Sequence, residues 1–279
     1  MLWQRLVTAM VLLAVLLPTI FVLNPVYWGV VTLVFLATAG WEWRRLQTGK
    51  ATGYGLVIAL LGSGLLWLVL EATGTPATLA AMTGVLYPAL LVASLIYWVV
   101  AAPLRLRAHR VAGWGPIPVF LILFTCWLSL YALRQTGADA LIAALCIVWI
   151  ADIGAYFVGR AIGRRKLAPD ISPGKSWEGA IGGAFLVVVA GLLVAPYPGA
   201  DNSLPTLLIS SWGPLAGIVV LAIMAALSIL GDLHESMLKR QAGVKDSGRS
   251  LPGHGGVLDR IDALLPTMPA AGLLHLILA

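Results

Sequence analysis

Long apolar runs constrain this chain more than any other feature. Nine of them follow one another, roughly Leu6–Leu23, Val26–Gly40, Tyr54–Leu70, Thr78–Ala101, Pro116–Leu133, Ala138–Ile162, Trp177–Ala195, Ser211–Gly231 and Ala263–Leu278. A helix needs about 20 apolar residues to cross a bilayer. Only 11% of the residues are charged, where a soluble domain carries about 25%. The expected fold class is therefore all-α, a polytopic integral membrane helical bundle with about nine transmembrane helices. The first two runs are short and meet at Asn24-Pro25, so they form a tight hairpin that crosses fully or only barely. The N-terminal run lacks a small-residue cleavage site and is read as an uncleaved first helix.

The charges support this layout. With the N-terminus inside, 17 of the 18 Lys and Arg residues fall in inside segments, and only Arg134 falls outside. That is the positive-inside bias, and it puts the charged loops, 159–176 and 232–262, on the cytoplasmic side; the localisation expected is a bacterial-type inner membrane, crossed several times. The net charge of +6 is then met by anionic membrane lipids, and no nucleic acid is expected as a partner. Residues 1–110 read as N-terminal membrane helices, and 111–279 as the region carrying chemistry. Trp3, Trp28, Trp41, Trp43, Trp98, Trp114, Trp177 and Trp212 lie near span ends and suggest an interfacial belt. Gly62, Gly64, Gly182 and Gly183 suggest close helix packing. Cys126 and Cys146 sit in apolar runs and read as small core residues. Glu42, between two tryptophans, reads as an ordinary boundary residue.

The stretch Asp232–Asp262 breaks the pattern. It holds five acidic residues, five Lys or Arg, two His and a glycine cluster between two apolar runs. Charge at a membrane boundary is costly unless paired, hydrated or holding an ion. On a continued helix Asp232, Ser236 and Lys239 share one face, with Glu235 and Arg240 beside it, a seat for Mg²⁺ and the phosphates it bridges. Gly253, Gly255 and Gly256 around His254 allow a tight backbone to approach an anion. His254 itself reads equally as a donor to phosphate, a general acid or a structural cap. Asp259 and Asp262 face one way at the start of the last helix. If Asp232 and Asp259 come from neighbouring helices, their carboxylates meet at one depth, and two or three carboxylates with phosphate oxygens suit Mg²⁺. Asp152 and Tyr156, one turn apart in the sixth run, are a further polar pair inside a span.

Ser236-Met-Leu-Lys239-Arg240, then Lys245-Asp246, then Leu251-Pro-Gly-His254-Gly255-Gly256-Val-Leu-Asp259-Arg260-Ile-Asp262, resembles the signature of the phosphatidate cytidylyltransferases (CDP-diacylglycerol synthases). A second block, Asp152 to Arg160, Lys166 and Ser172-Pro-Gly-Lys175-Ser176-Trp-Glu178-Gly179, is similar to that family's stretch between two spans. The likeness covers about Trp149 to Pro266, and Ala263 stands where the family pattern has Ser. The resemblance implies the reaction of CTP with phosphatidic acid to give CDP-diacylglycerol and pyrophosphate. It implies Mg²⁺ on Asp232 and Asp259, with Asp262 and Asp246 in support, and a second, monovalent cation such as K⁺. Lys239, Arg240, Lys245 and Arg260 become candidates for the triphosphate or the leaving pyrophosphate. Ser172, Lys175, Ser176, Ser236, His254, Gly255 and Gly256 become substrate-binding candidates. A homodimer is likewise implied.

Three rival functions fit part of the sequence. A CTP-using polyprenol kinase would share the membrane fold and nucleotide site. A CDP-alcohol phosphotransferase requires a spaced array of Asp residues on helices that the sequence does not show. A transporter would place its polar residues near the bilayer midplane, whereas here they gather in one loop.

Overall fold

The computed structural model describes residues 2–50, 53–113 and 115–278, and the side chain of Arg5 and all of Trp114, used in the charge and aromatic patterns above, lie outside the described residues. Helices α1 (Leu2–Phe21) and α2 (Pro25–Thr48) meet at Asn24, whose side chain accepts from the Val26 N–H. Pro25 opens α2, where a missing N–H leaves nothing unpaired. Gly49, at φ 67°, closes α2 by donating its N–H to the Arg45 carbonyl, a left-handed cap that suits glycine. Next come α3 (Tyr54–Thr73) and α4 (Pro76–Arg107). The latter is one rod with π-helical turns at Met82–Leu86 and Tyr97–Ala101. Then follow α5 (Pro116–Thr136), α6 (Ala138–Ile162), α7 (Trp177–Val194), α8 (Leu204–Gln241), the short α9 (Leu258–Ile261) and α10 (Leu264–Leu278).

Among the described residues six helices, α3 to α8, are long and apolar enough to cross a membrane, and residues 6–21 and α10 form shorter apolar helices. The chain is a multi-pass, helical membrane protein. The run expected at Ser211–Gly231 is part of a 38-residue helix interrupted at Gly213 (φ 81°, ψ 166°), just before Pro214. Proline removes a helical hydrogen bond and clashes with the preceding turn, so the break falls where the sequence demands it.

The all-α expectation omits one feature. Strands β1 (Lys166–Ala168) and β2 (Ser172–Ser176) pair antiparallel between α6 and α7. Pro173 and Gly174 disfavour a helix there, and Glu178 fastens the ribbon's base by accepting from the backbone N–H groups of Arg164 and Arg165.

The core centres on α5, which packs against α2, α3, α4, α6 and α10. Indole N–H groups tie two of these helices together: Trp28 Nε1 donates to the Leu130 carbonyl and Trp127 Nε1 to that of Gly29, at 3.0 and 2.8 Å. Trp28, Trp43 and Trp98 are thus core residues, not members of an interfacial belt, whereas Trp3, Trp177 and Trp212 are exposed. Helices α6 and α7 touch backbone to backbone. A Cβ on Gly183 would lie 2.4 Å from the Ala151 carbonyl oxygen, and one on Gly182 would clash with Val158. Gly64 makes similar room for Leu33, while Gly62 faces open space and marks no contact.

Candidate active site

At one end of the bundle α6, β2 and α8 enclose a cavity of about 410 Å³ lined by Asp152, Tyr156, Ser172, Lys175, Ser176 and Asp232, among others. Each side chain arrives for a local reason. Asp152 projects from α6 and accepts from Ser228 of α8 at 3.3 Å. Ser176 caps α7 by accepting from the Gly179 N–H at 3.2 Å. Lys175, the residue before that cap, sends Nζ to Asp232 Oδ2 at 2.6 Å. The other oxygen of Asp232 accepts from Ser236, one turn further along α8, at 3.1 Å.

Asp262 completes the group from the end of α9. Burial, then the negative charge of Asp232, push its pKa up to about 8, against a hydrogen bond from the Ala263 N–H; Asp152 adds to the repulsion and Lys175 opposes it. Three carboxyl groups thus share one ammonium, and their mutual repulsion favours a proton on Asp262 that a cation at the site would replace. Among the described residues no set of three His, Cys, Asp or Glu side chains is arranged to hold a metal ion by itself. Two carboxylates completed by phosphate and water oxygens do suit Mg²⁺.

Asp259 lies in a different network. Its Oδ1 accepts from Lys239 Nζ at 2.8 Å, and its Oδ2 accepts from the N–H groups of Ser247 and Gly256 at 2.9 and 2.8 Å. Burial works to raise its pKa, but the hydrogen bonds from Lys239 and these backbone groups outweigh it and hold it at about 2. Lys239 also pairs with Glu235 at 2.6 Å. The glycine turn, closed by a bridge between Leu251 and Gly255, is followed by Gly256, whose N–H donates to Asp259. Gly253 and Gly255, at φ 76° and 88°, adopt the backbone this turn requires.

The remaining candidates rim this end. Arg240 Nε donates to the Ile171 carbonyl and Arg260 Nε to that of His254. Lys245 and Asp246 are exposed. His234, the other histidine of the charged stretch, is buried, with Nε2 2.7 Å from the Tyr97 hydroxyl and its ring against Trp43 and Trp98. It is part of the packing. Sequence reasoning passed over Glu42, which is fully buried and joins α2 to the glycine loop. The available signal was a carboxylate among apolar neighbours, which marks a functional position by default.

An apolar groove of about 320 Å³ adjoins the polar cavity and shares Leu167, Ala180 and Ile229 with it. Trp177 and Ile181 on its rim are 50% and 66% exposed, so the groove opens sideways between α7 and α8. This architecture defines a multi-pass membrane protein with a charged cavity beside an apolar groove. The chain belongs to the cytidylyltransferase family, whose model matches residues 3–278. It is 39% identical to the phosphatidate cytidylyltransferase of Pseudomonas aeruginosa over 96% of this chain and 95% of the relative. It is 34% identical to that of Haemophilus influenzae over 96% of both chains. A 168-residue stretch is 47% identical to that of Brucella suis, over 59% of this chain and 56% of the relative.

Proposed function

We propose that this chain transfers the cytidylyl group of CTP to phosphatidic acid, giving CDP-diacylglycerol and pyrophosphate. The observation that carries this reading is the joined pair of cavities, one charged and one apolar. A phosphatidic acid has that same division, an anionic head on acyl chains. A phosphate oxygen of the lipid attacks the α-phosphorus of CTP. The bond from that phosphorus to the oxygen bridging the β-phosphate breaks, and pyrophosphate leaves with the electron pair. The nucleophile is already an anion, so no strong base is required. The barrier is the approach of two anions, which positioning and charge neutralisation lower.

Lys175 supplies a fixed positive charge in the cavity, and Ser172 and Ser236 supply hydroxyl donors beside it. Arg240, Lys245 and Arg260 would form the cationic rim toward the triphosphate and the departing pyrophosphate, and Lys239, held by Glu235 and Asp259, would reach it only by exchanging a partner. Asp232 and Asp262, with Asp152 beside them, would hold Mg²⁺, Asp259 would hold the loop around it through Lys239 and the Ser247 and Gly256 N–H groups, and Asp246 stays a supporting candidate. When bound, the ion supplies neutralisation of the two approaching anions. The proposal includes a second, monovalent cation and a homodimer, both implied by the likeness to the family signature. It also includes nine crossings, with α1, α2 and α10 added to the six long helices. The positive-inside bias supports a cytoplasmic active site in a bacterial inner membrane.

The test is incorporation of radiolabelled CTP into extractable lipid with phosphatidic acid and Mg²⁺. Wild-type protein is expected to form labelled CDP-diacylglycerol, and Asp232→Asn to lose nearly all product while still inserting in the membrane. Formation of CDP and a polyprenyl phosphate from a polyprenol, with no product from phosphatidic acid, would overturn the proposal.

A further inference from the structure

Glu42 lies near the end of α2, about 200 residues before the loop it touches, and its side chain is 0% exposed. Its carboxylate accepts four hydrogen bonds from that loop. Ser250 Oγ and the Val257 N–H donate to Oε1 at 2.6 and 3.2 Å, and Ser247 Oγ and the Leu258 N–H donate to Oε2, both at 2.9 Å. The approach is so close that a Cβ on Gly248 or Gly256 would lie 2.3 or 2.5 Å from a Glu42 oxygen. Arg45, one turn along, adds a bond from Nη2 to the Ser247 carbonyl at 3.2 Å.

We propose that Glu42 is a positioning residue for the reaction: it clamps segment 247–258 to α2 and, through α9, sets the Asp262 carboxylate against Asp232. The Val257 and Leu258 N–H groups open α9, a single turn whose first donors have no partner within it. Asp262 ends the same turn, its N–H donating to the Leu258 carbonyl at 3.1 Å, so fixing the start of α9 fixes Asp262. Ser247 extends the clamp sideways, with Oγ also 3.0 Å from Asp259 Oδ2.

The geometry requires glutamate. Both oxygens must accept from a backbone N–H, and a carboxylate offers about four lone-pair sites. Glutamine would turn an NH₂ group toward Val257 or Leu258 and leave a buried N–H unpaired. Aspartate is one methylene too short to reach from the same helix position.

The consequence for Mg²⁺ rests on the proposed function; the clamp itself does not. Hydrogen–deuterium exchange on substrate-free protein in lipid nanodiscs therefore gives a readout independent of the reaction. In Glu42→Gln the amides of 247–258 are expected to exchange at least about tenfold faster than in wild type, while those of α5 and α6 are unchanged. In turnover assays the Mg²⁺ concentration for half-maximal rate is expected to rise about tenfold with the KM for phosphatidic acid within about twofold of wild type, the signature of a displaced carboxylate. Adding Glu42→Gln to Asp262→Asn should then change the Mg²⁺ dependence no further, as coupled residues require. Ser247→Ala, which removes one donor and leaves the carboxylate in place, is expected to show the same changes in smaller measure and serves if Glu42→Gln does not fold. Unchanged exchange in 247–258, or fully additive effects in the double variant, would overturn the proposal.

Discussion

Lys175→Met tests the charge arrangement most directly, because it predicts two changes of opposite sense. Lys175 Nζ lies 2.6 Å from Asp232 Oδ2, with the two side chains 22% and 31% exposed. Two unit charges about 4 Å apart attract by about 4 kcal/mol at an effective dielectric constant near 20. Partial exposure and lost solvation reduce this, and a net of about 1–2 kcal/mol lies between typical exposed and fully buried pairs. Removing the ammonium frees Asp232 for a divalent ion, so half-saturating Mg²⁺ should fall about 5- to 30-fold by the usual conversion of free energy to affinity. The same change removes a positive charge from beside the reacting phosphates, and a lost electrostatic contact of that kind costs about 10²- to 10³-fold in kcat. Initial rates of CTP incorporation into lipid, measured across a Mg²⁺ titration at saturating phosphatidic acid, report both quantities. Lys175→Arg should recover part of kcat and keep wild-type Mg²⁺ dependence. A Lys175→Met protein with wild-type kcat, or with weaker apparent Mg²⁺ affinity, would refute this account of the site.

Protonation supplies a second test. Burial and the charge of Asp232 hold the Asp262 pKa well above the usual carboxylate range, so a proton would compete with a cation at its carboxylate. Half-saturating Mg²⁺ should fall as pH rises from 6 to 8, and Asp262→Asn should flatten the dependence; a flat wild-type profile would contradict this. Asp259 behaves in the opposite sense, because its folded pKa of about 2 lies below the unfolded value of about 3.9. Its stabilising contribution is present above about pH 4 and is lost as pH falls toward 2. Exchange protection at Ser247 and Gly256 should fade across that window and not in Asp259→Asn. Gly183→Ala places a methyl group 2.4 Å from the Ala151 carbonyl oxygen, so α6 and α7 must part. Overpacking of this kind costs about 1–3 kcal/mol, which a lowered thermal midpoint in detergent would register.

Much of the bundle is legible in the sequence because apolar runs and proline positions dictate helices directly. Pro25, Pro76, Pro116 and Pro205 each stand at the first turn of a helix, and the break before Pro214 follows from the same chemistry. The site is legible in its residue types but not in its pairings. Spacing along α8 brings Asp232 and Ser236 to one face, but nothing local says that Lys175, from the ribbon before α7, reaches Asp232 first. Likewise the sequence puts Asp259 and Asp262 on one side of a turn, yet the two carboxylates join separate networks. Asp259 is drawn to the N–H groups of Ser247 and Gly256, and Asp262 stays beside Asp232. Such choices depend on contacts between segments far apart in the chain. Glu42 stands out by its type among apolar neighbours, but its partners were not legible, since they lie beyond six intervening helices.

The sideways opening of the apolar groove beside the cavity governs how the protein meets its lipid. A molecule entering past Trp177 and Ile181, along the groove between α7 and α8, would travel within the plane of the bilayer and never pass through bulk water. Encounter is then set by how crowded that plane is with the lipid, so turnover should follow its mole fraction among surrounding lipids and ignore its total amount in the tube. Diluting vesicles with buffer would leave the rate per enzyme unchanged, while diluting the lipid with an inert phospholipid would slow it.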